Sequence, residues 1–132
     1  MKINFSNHME NLANRYGECE AIVNIERNRR YSFAEFHALT NRIVNMMTSL
    51  GLGAGDRFVN ILDNDNLSLL HAPTIFKGCV TGAFTNFRDS LEEHTWQVEA
   101  SGAKVAFIEN ELLDSHYKML RDRNVTVIVM DE

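Results

Sequence analysis

The stretch SLEEHTWQVEASGAKVAFI, residues 90–108, decides the fold. Ser90 followed by Glu93 is a capping box, in which a hydroxyl and a carboxylate satisfy each other's backbone N–H groups at a helix start. The helix it opens runs to about Ala100. Gly102 ends it, since glycine takes the left-handed conformation of a helix C-cap at little cost. Lys104–Ile108 then reads as a short, wholly apolar-centred strand. Helix, glycine and buried-type strand make up half of a β-α-β unit, and the same order recurs on both sides.

Upstream, Arg57–Leu62 reads as a strand, and Asp65 is placed to cap a helix running to about Lys77. Pro73 should bend or interrupt that helix, because it removes a donor and crowds the preceding turn. Val80–Thr85 is the next strand, bounded by Asn86. Downstream come a helix near Glu111–Arg121 and a strand at Thr126–Met130. Alternation of this kind predicts right-handed crossovers and a mainly parallel sheet flanked by helices.

Before Asp56 the pattern differs. Met9, Leu12, Ala13 and Tyr16 predict a helix over 7–16, stopped by Gly17. Ala21–Ile25 and Arg30–Ser32 flank a polar turn in which Asn28 tolerates the left-handed conformation, giving a β-hairpin. Ser32 and Glu35 form another capping box, and Phe33, Phe36, Leu39, Ile43, Met46, Met47 and Leu50 then repeat at helical spacing up to Gly51. The prediction is an α/β domain with an N-terminal helix and hairpin, without internal repeat or linker.

The chain has 132 residues, 45% of them apolar, with a formal charge of −5 and a pI near 5.5. That balance excludes a general attraction to nucleic acid or anionic lipid. Cys19 and Cys79 lie far apart with no C-x-x-C partner, so neither a disulfide framework nor a zinc site is indicated. No segment has the length of a signal peptide's apolar core or of a membrane span, and the expected location is cytoplasmic. The chain stops at Asp131-Glu132 directly after the buried-type strand Val125–Met130. A parallel strand needs both faces covered, so the expectation is a piece of a longer protein, able to self-associate through the uncovered face.

Gly51-Leu-Gly-Ala-Gly55 has the look of a dinucleotide fingerprint. Phosphate cradling, however, needs a strand before the glycines and a helix after them. Here the order is helix, glycines, strand, which is a helix C-cap and turn. Asp63-Asn-Asp65 resembles the start of a calcium loop, but Leu67, Ser68 and Thr74 occupy later ligand and glycine positions. A strand-end turn with a helix cap is the better reading, ahead of a receiver-like acidic pair. His8, His37, His71, His94 and His116 fall on different helices with no i, i+4 pair, and are expected at the surface or partly buried. Trp96 is read as a core or interface residue. Arg88 lies in Asn86-Phe87-Arg88-Asp89-Ser90, just past a strand end, where open α/β sheets place ligand loops. An arginine there is fit to hold a phosphate with its planar fork; from the residues alone, a surface salt bridge is the stronger alternative.

Taken together, Tyr31-Ser-Phe-Ala-Glu-Phe36, Ala38-Leu-Thr-Asn-Arg42 and Leu50-Gly-Leu-Gly-Ala-Gly-Asp-Arg57 resemble the first core motif and following helix of the adenylate-forming superfamily. That superfamily comprises acyl-CoA synthetases, luciferases and peptide-synthetase adenylation domains. Leu62-Asp-Asn64, Phe76-Lys-Gly78, Asn86-Phe-Arg88 and Ser101-Gly-Ala-Lys-Val105 continue the likeness in order, similar to its L-P-N, L-K-A-G-A, N-P-R and S-G-A-K-V landmarks. Asp63, Phe84 and Phe87 stand where the family has proline, and Cys79 where glycine is common.

The resemblance implies the N-terminal subdomain of an AMP-forming acyl-CoA ligase. Such an enzyme joins a small-molecule carboxylic acid to CoA with ATP and magnesium, through an acyl-adenylate, as in fatty acid metabolism. It also implies that the Ser/Thr/Gly-rich phosphate loop, the nucleotide contacts and the C-terminal domain with its catalytic lysine lie beyond residue 132. The isolated chain is then expected to be inactive and to bind none of these cofactors by itself. One position transfers: the N-P-R arginine, which in some members approaches the phosphates of CoA, matches Arg88. The alternative is a stand-alone doubly wound α/β binding module, receiver-like or nucleotide-binding.

Overall fold

The computed structural model describes residues 4–64 and 66–130. Helix α1 (Phe5–Tyr16) begins two residues earlier than its apolar spacing predicts, because the Asn4 side chain accepts the Ser6 N–H at 3.0 Å and caps it. Strands β1 (Glu20–Asn24) and β2 (Arg29–Ser32) pair antiparallel, with Asn28 left-handed at φ 47° in the turn. Helix α2 (Phe33–Ser49) starts at the capping box of Ser32 and Glu35 and buries Phe36, Thr40, Ile43 and Met47.

Then follow β3 (Arg57–Ile61), α3 (Asn66–Leu69), α4 (His71–Gly78), β4 (Thr81–Phe84), α5 (Leu91–Ser101), β5 (Val105–Glu109), α6 (Leu113–Asp122) and β6 (Thr126–Met130). The single helix expected up to Lys77 is thus two. Its break falls between Leu69 and His71, which is where the ring of Pro73 would meet the carbonyl four residues back. The cap expected from Asp65 lies outside the described residues. Gly51 and Gly55 have φ of 83° and 86°, as a helix end followed by a turn requires.

The four strands run in the order β4-β3-β5-β6, all parallel, with Phe58 opposite Val105 and Val105 opposite Thr126. Every residue of β5 is buried, as expected for a parallel strand covered on both faces. Alternate residues feed two cores. Phe58 and Phe107 point to the side packed by α1, α2, α4 and the hairpin. Val59, Ile61, Ala106 and Ile108 point to the side packed by Val98 of α5 and by Met119 and Leu120 of α6. On the first side Lys77 staples α4 to α2: its Nζ lies 2.5 Å from Thr40 Oγ1, 2.9 Å from Asn41 Oδ1 and 3.3 Å from the His37 carbonyl. Burial holds that amine below its ordinary pKa. Among the described residues, no helix is long and apolar enough to cross a membrane.

A candidate ligand cleft at the strand ends

After β3 and β4 the chain order in the sheet reverses, with β5 adding on the far side of β3. Loops at the carboxyl ends of such strands are where open α/β sheets form ligand crevices. At the junction of β3 and β5 the Asp63 N–H donates to Glu109 Oε1 at 3.1 Å, tying the two strand ends together. Beside it, a cleft of about 500 Å³ is lined by Asn60, Asp63, Asn64, Ser68, Asn86 and Arg88, with apolar walls from Leu62, Phe84 and Phe87.

The loop that carries Arg88 is built by short-range bonds. Thr85 is anchored where its N–H and its hydroxyl both donate to the Asn60 carbonyl, at 3.2 and 3.1 Å. Asn86 Oδ1 accepts the Arg88 N–H at 3.1 Å and the Asn86 carbonyl accepts the Asp89 N–H at 3.0 Å, an Asx turn. The capping box follows at once, with the Ser90 N–H donating to Glu93 Oε2 at 2.8 Å and the Glu93 N–H to Ser90 Oγ at 3.3 Å. Arg88 is exposed on this turn. Its guanidinium pairs with no carboxylate or carbonyl among the described residues, so the salt bridge that competed with a ligand role is not formed.

Asn60 is a site residue that sequence reasoning passed over. It is 2% exposed, its Nδ2 donates to Ser68 Oγ at a long 3.4 Å, and its Oδ1 has no partner. A buried amide oxygen without a donor costs about 1–3 kcal/mol, so it marks a place where a donor is wanted. The signal was present: an asparagine inside the otherwise apolar run Phe58–Leu62.

The histidines correct the expectation. His8 is exposed and His37 half-buried, but His71, His94 and His116 are 0%, 0% and 3% exposed. His94 and His116, from different helices, meet with Nδ1 and Nε2 2.9 Å apart. Burial chiefly, and then His94, hold the His116 imidazole below its ordinary pKa, against the Leu112 carbonyl, which favours the protonated ring. Trp96 is 69% exposed and so is no core residue. Among the described residues, no three of His, Cys, Asp and Glu are grouped to hold a metal ion.

Solved structures share this fold. The N-terminal domain of FACL13 from Mycobacterium tuberculosis superposes with a TM-score of 0.86 at 23% identity, over 99% of this chain and 34% of that one. A benzoate CoA ligase from Burkholderia xenovorans LB400 gives 0.85 at 15% identity, over 98% of this chain and 26% of that one. ATP-bound MatB from Rhodopseudomonas palustris gives 0.83 at 18%, over 98% and 25%. No protein-family model and no curated protein matches the sequence. The fold is therefore the expected acyl-CoA-synthetase-like one, and the chain spans about a quarter to a third of the length of the proteins it is similar to.

Proposed function

We propose that the chain is the N-terminal part of an AMP-forming acyl-CoA ligase, which converts a carboxylic acid, ATP and CoA to acyl-CoA, AMP and pyrophosphate, and that Arg88 binds a phosphate of CoA. The observation that carries this reading is an unpaired arginine on a strand-end turn beside a cleft, in a fold shared with CoA ligases. Its guanidinium is free to make a bidentate contact to phosphate oxygens. Arg88 thus serves the thiol-transfer half of the reaction. Adenylation, with ATP and magnesium, is assigned to the parts of the protein that the resemblance places beyond Glu132.

The parent activity is tested by pyrophosphate release from the full-length protein across a panel of carboxylic acids. Charge-assisted contacts of this kind are worth about 1.5–3 kcal/mol, or about 10- to 150-fold in affinity. Arg88→Ala is therefore expected to raise the KM for CoA by about that factor while acid-dependent pyrophosphate exchange stays near normal. Arg88→Lys should recover part of the loss, keeping the charge without the fork. Equal loss of exchange and CoA use, or no change in either, refutes the assignment. Isothermal titration of the 132-residue chain with ATP and magnesium is expected to show no micromolar binding.

A further inference from the structure

His94 on α5 and His116 on α6 form a buried chain of hydrogen bonds that ends on one side at the Arg88 turn and on the other at the exposed Ser115. His94 Nε2 lies 2.9 Å from the Asn86 carbonyl oxygen. A carbonyl only accepts, so the proton of His94 sits on Nε2. Its Nδ1 is then an acceptor, and the atom 2.9 Å away, His116 Nε2, is the donor. His116 Nδ1 lies 2.8 Å from Ser115 Oγ and 3.1 Å from the Leu112 carbonyl. When the pair is neutral, the Ser115 hydroxyl donates to that nitrogen. When the pair holds one further proton, Nδ1–H donates to Leu112 and the hydroxyl turns to the same carbonyl, 2.9 Å away. In both states every ring nitrogen is satisfied and His94 keeps its Nε2–H.

The Asn86 carbonyl that receives this bond is also the pivot of the turn, since it accepts the Asp89 N–H at 3.0 Å. A second strut from α5 holds the same segment, with Gln97 Nε2 donating to Asp89 Oδ2 at 2.9 Å. Desolvating two imidazoles costs more than filling the space with apolar side chains. What the arrangement yields in return is a fixed main-chain carbonyl two residues before Arg88. We propose that His94, held in one tautomer by the Asn86 carbonyl and braced by His116, is a positioning residue that sets the turn presenting Arg88 to the cleft. Its consequence for ligand binding rests on the reading of Arg88 as a phosphate ligand; the positioning of the turn does not.

The test uses nitrogen-15-labelled chain. Long-range imidazole correlation spectra should show His94 as the Nε2–H tautomer. His94→Leu should speed amide exchange at Asp89 by about tenfold, the loss of roughly one hydrogen bond. His94→Gln, whose amide nitrogen stands near the place of Nε2, should restore slow exchange. In the full-length protein the KM for CoA should rise about tenfold in His94→Leu and recover in His94→Gln, although both variants lose thermal stability. A His94 Nδ1–H tautomer in the wild type, which needs no variant to fold, overturns the proposal, as does unchanged Asp89 exchange in His94→Leu. If Arg88→Ala leaves the KM for CoA of the full-length protein unchanged while exchange follows the expected order, the Arg88 reading fails and the positioning role stands.

Discussion

The two faces of the sheet bury histidine in opposite ways. On the α1–α2–α4 face His71 sits fully buried between Phe58 and Phe107, with ring centroids 5.5 and 4.3 Å away, and neither nitrogen has a partner. On the α5–α6 face His94 and His116 are equally buried, yet each of their nitrogens meets a donor or acceptor. The contrast extends to the helix ends. Helix α4 has no side-chain cap at its start and ends on Cys79 in the left-handed region, whereas α5 opens with a capping box and ends on Gly102. The α5–α6 face is locally consistent, although Gln97 Oε1 there also lacks a partner. The face beside α3 and α4, which also holds Asn60, carries conflicts between local chemistry and fold, and such conflicts gather at functional or strained sites.

The largest expected effect follows from His71. Burial pushes its imidazole down from 6.5 to about 4. Between those values the unfolded chain binds a proton that the folded chain refuses, so the associated stability is full above pH 6.5 and is lost as the pH falls toward 4. At about 1.4 kcal/mol per pH unit the loss amounts to about 3 kcal/mol. Urea unfolding of wild type and His71→Leu at a series of pH values checks it. The difference between the two curves should grow by that amount on acidification, and parallel curves would show that the ring has a proton acceptor.

At neutral pH the same pair of faces predicts opposite signs. His94→Leu leaves the donor of His116 and one bond of the Asn86 carbonyl unmet, and should cost about 2 kcal/mol. His71→Leu replaces an unsatisfied polar ring by an apolar side chain of similar size, and should raise stability by about 1 kcal/mol. Denaturant midpoints at pH 7.5 decide it. Losses of equal size at both sites would mean that His71 makes a polar contact and that the contrast between the faces is false.

What was legible in the sequence was what is local. Both capping boxes, the glycine ends and the interruption caused by Pro73 depend on residues within one turn of each other, and each appears where the residues place it. Parallel pairing followed from the alternation of elements, whereas the order of the strands did not. The histidine pair was not legible, because its members are 22 residues apart and meet only when α5 packs beside α6. The core half of the Trp96 reading failed for a related reason. The inward positions of α5, one helical turn apart, are taken by His94 and Val98, and a residue midway between them faces outward. Arg88 was placed correctly at a strand end, but its lack of an ion partner and the orphaned Asn60 oxygen beside it are tertiary facts.

The smallest expected effect tests the helix ends. Cys79 has φ 54° and ψ 29°, and Gly102 has φ 61° and ψ 34°, so two helices of one sheet end in nearly the same left-handed conformation with different residues. A side chain there costs about 1 kcal/mol or more, because Cβ crowds the following carbonyl, and glycine avoids the cost. Glycine also gives the unfolded chain more freedom, which offsets part of the gain. Cys79→Gly should therefore stabilise by about 0.5 kcal/mol, a rise of about 1–3 °C in melting temperature. Gly102→Ala should destabilise by a similar amount. Its new Cβ would meet only Arg57 Nη1, at an ordinary contact distance of 3.7 Å, so the loss would be conformational rather than steric. If Gly102→Ala costs stability while Cys79→Gly gains none, the Cys79 side chain contributes something that balances its strain, and the two faces are more alike at their helix ends than at their histidines.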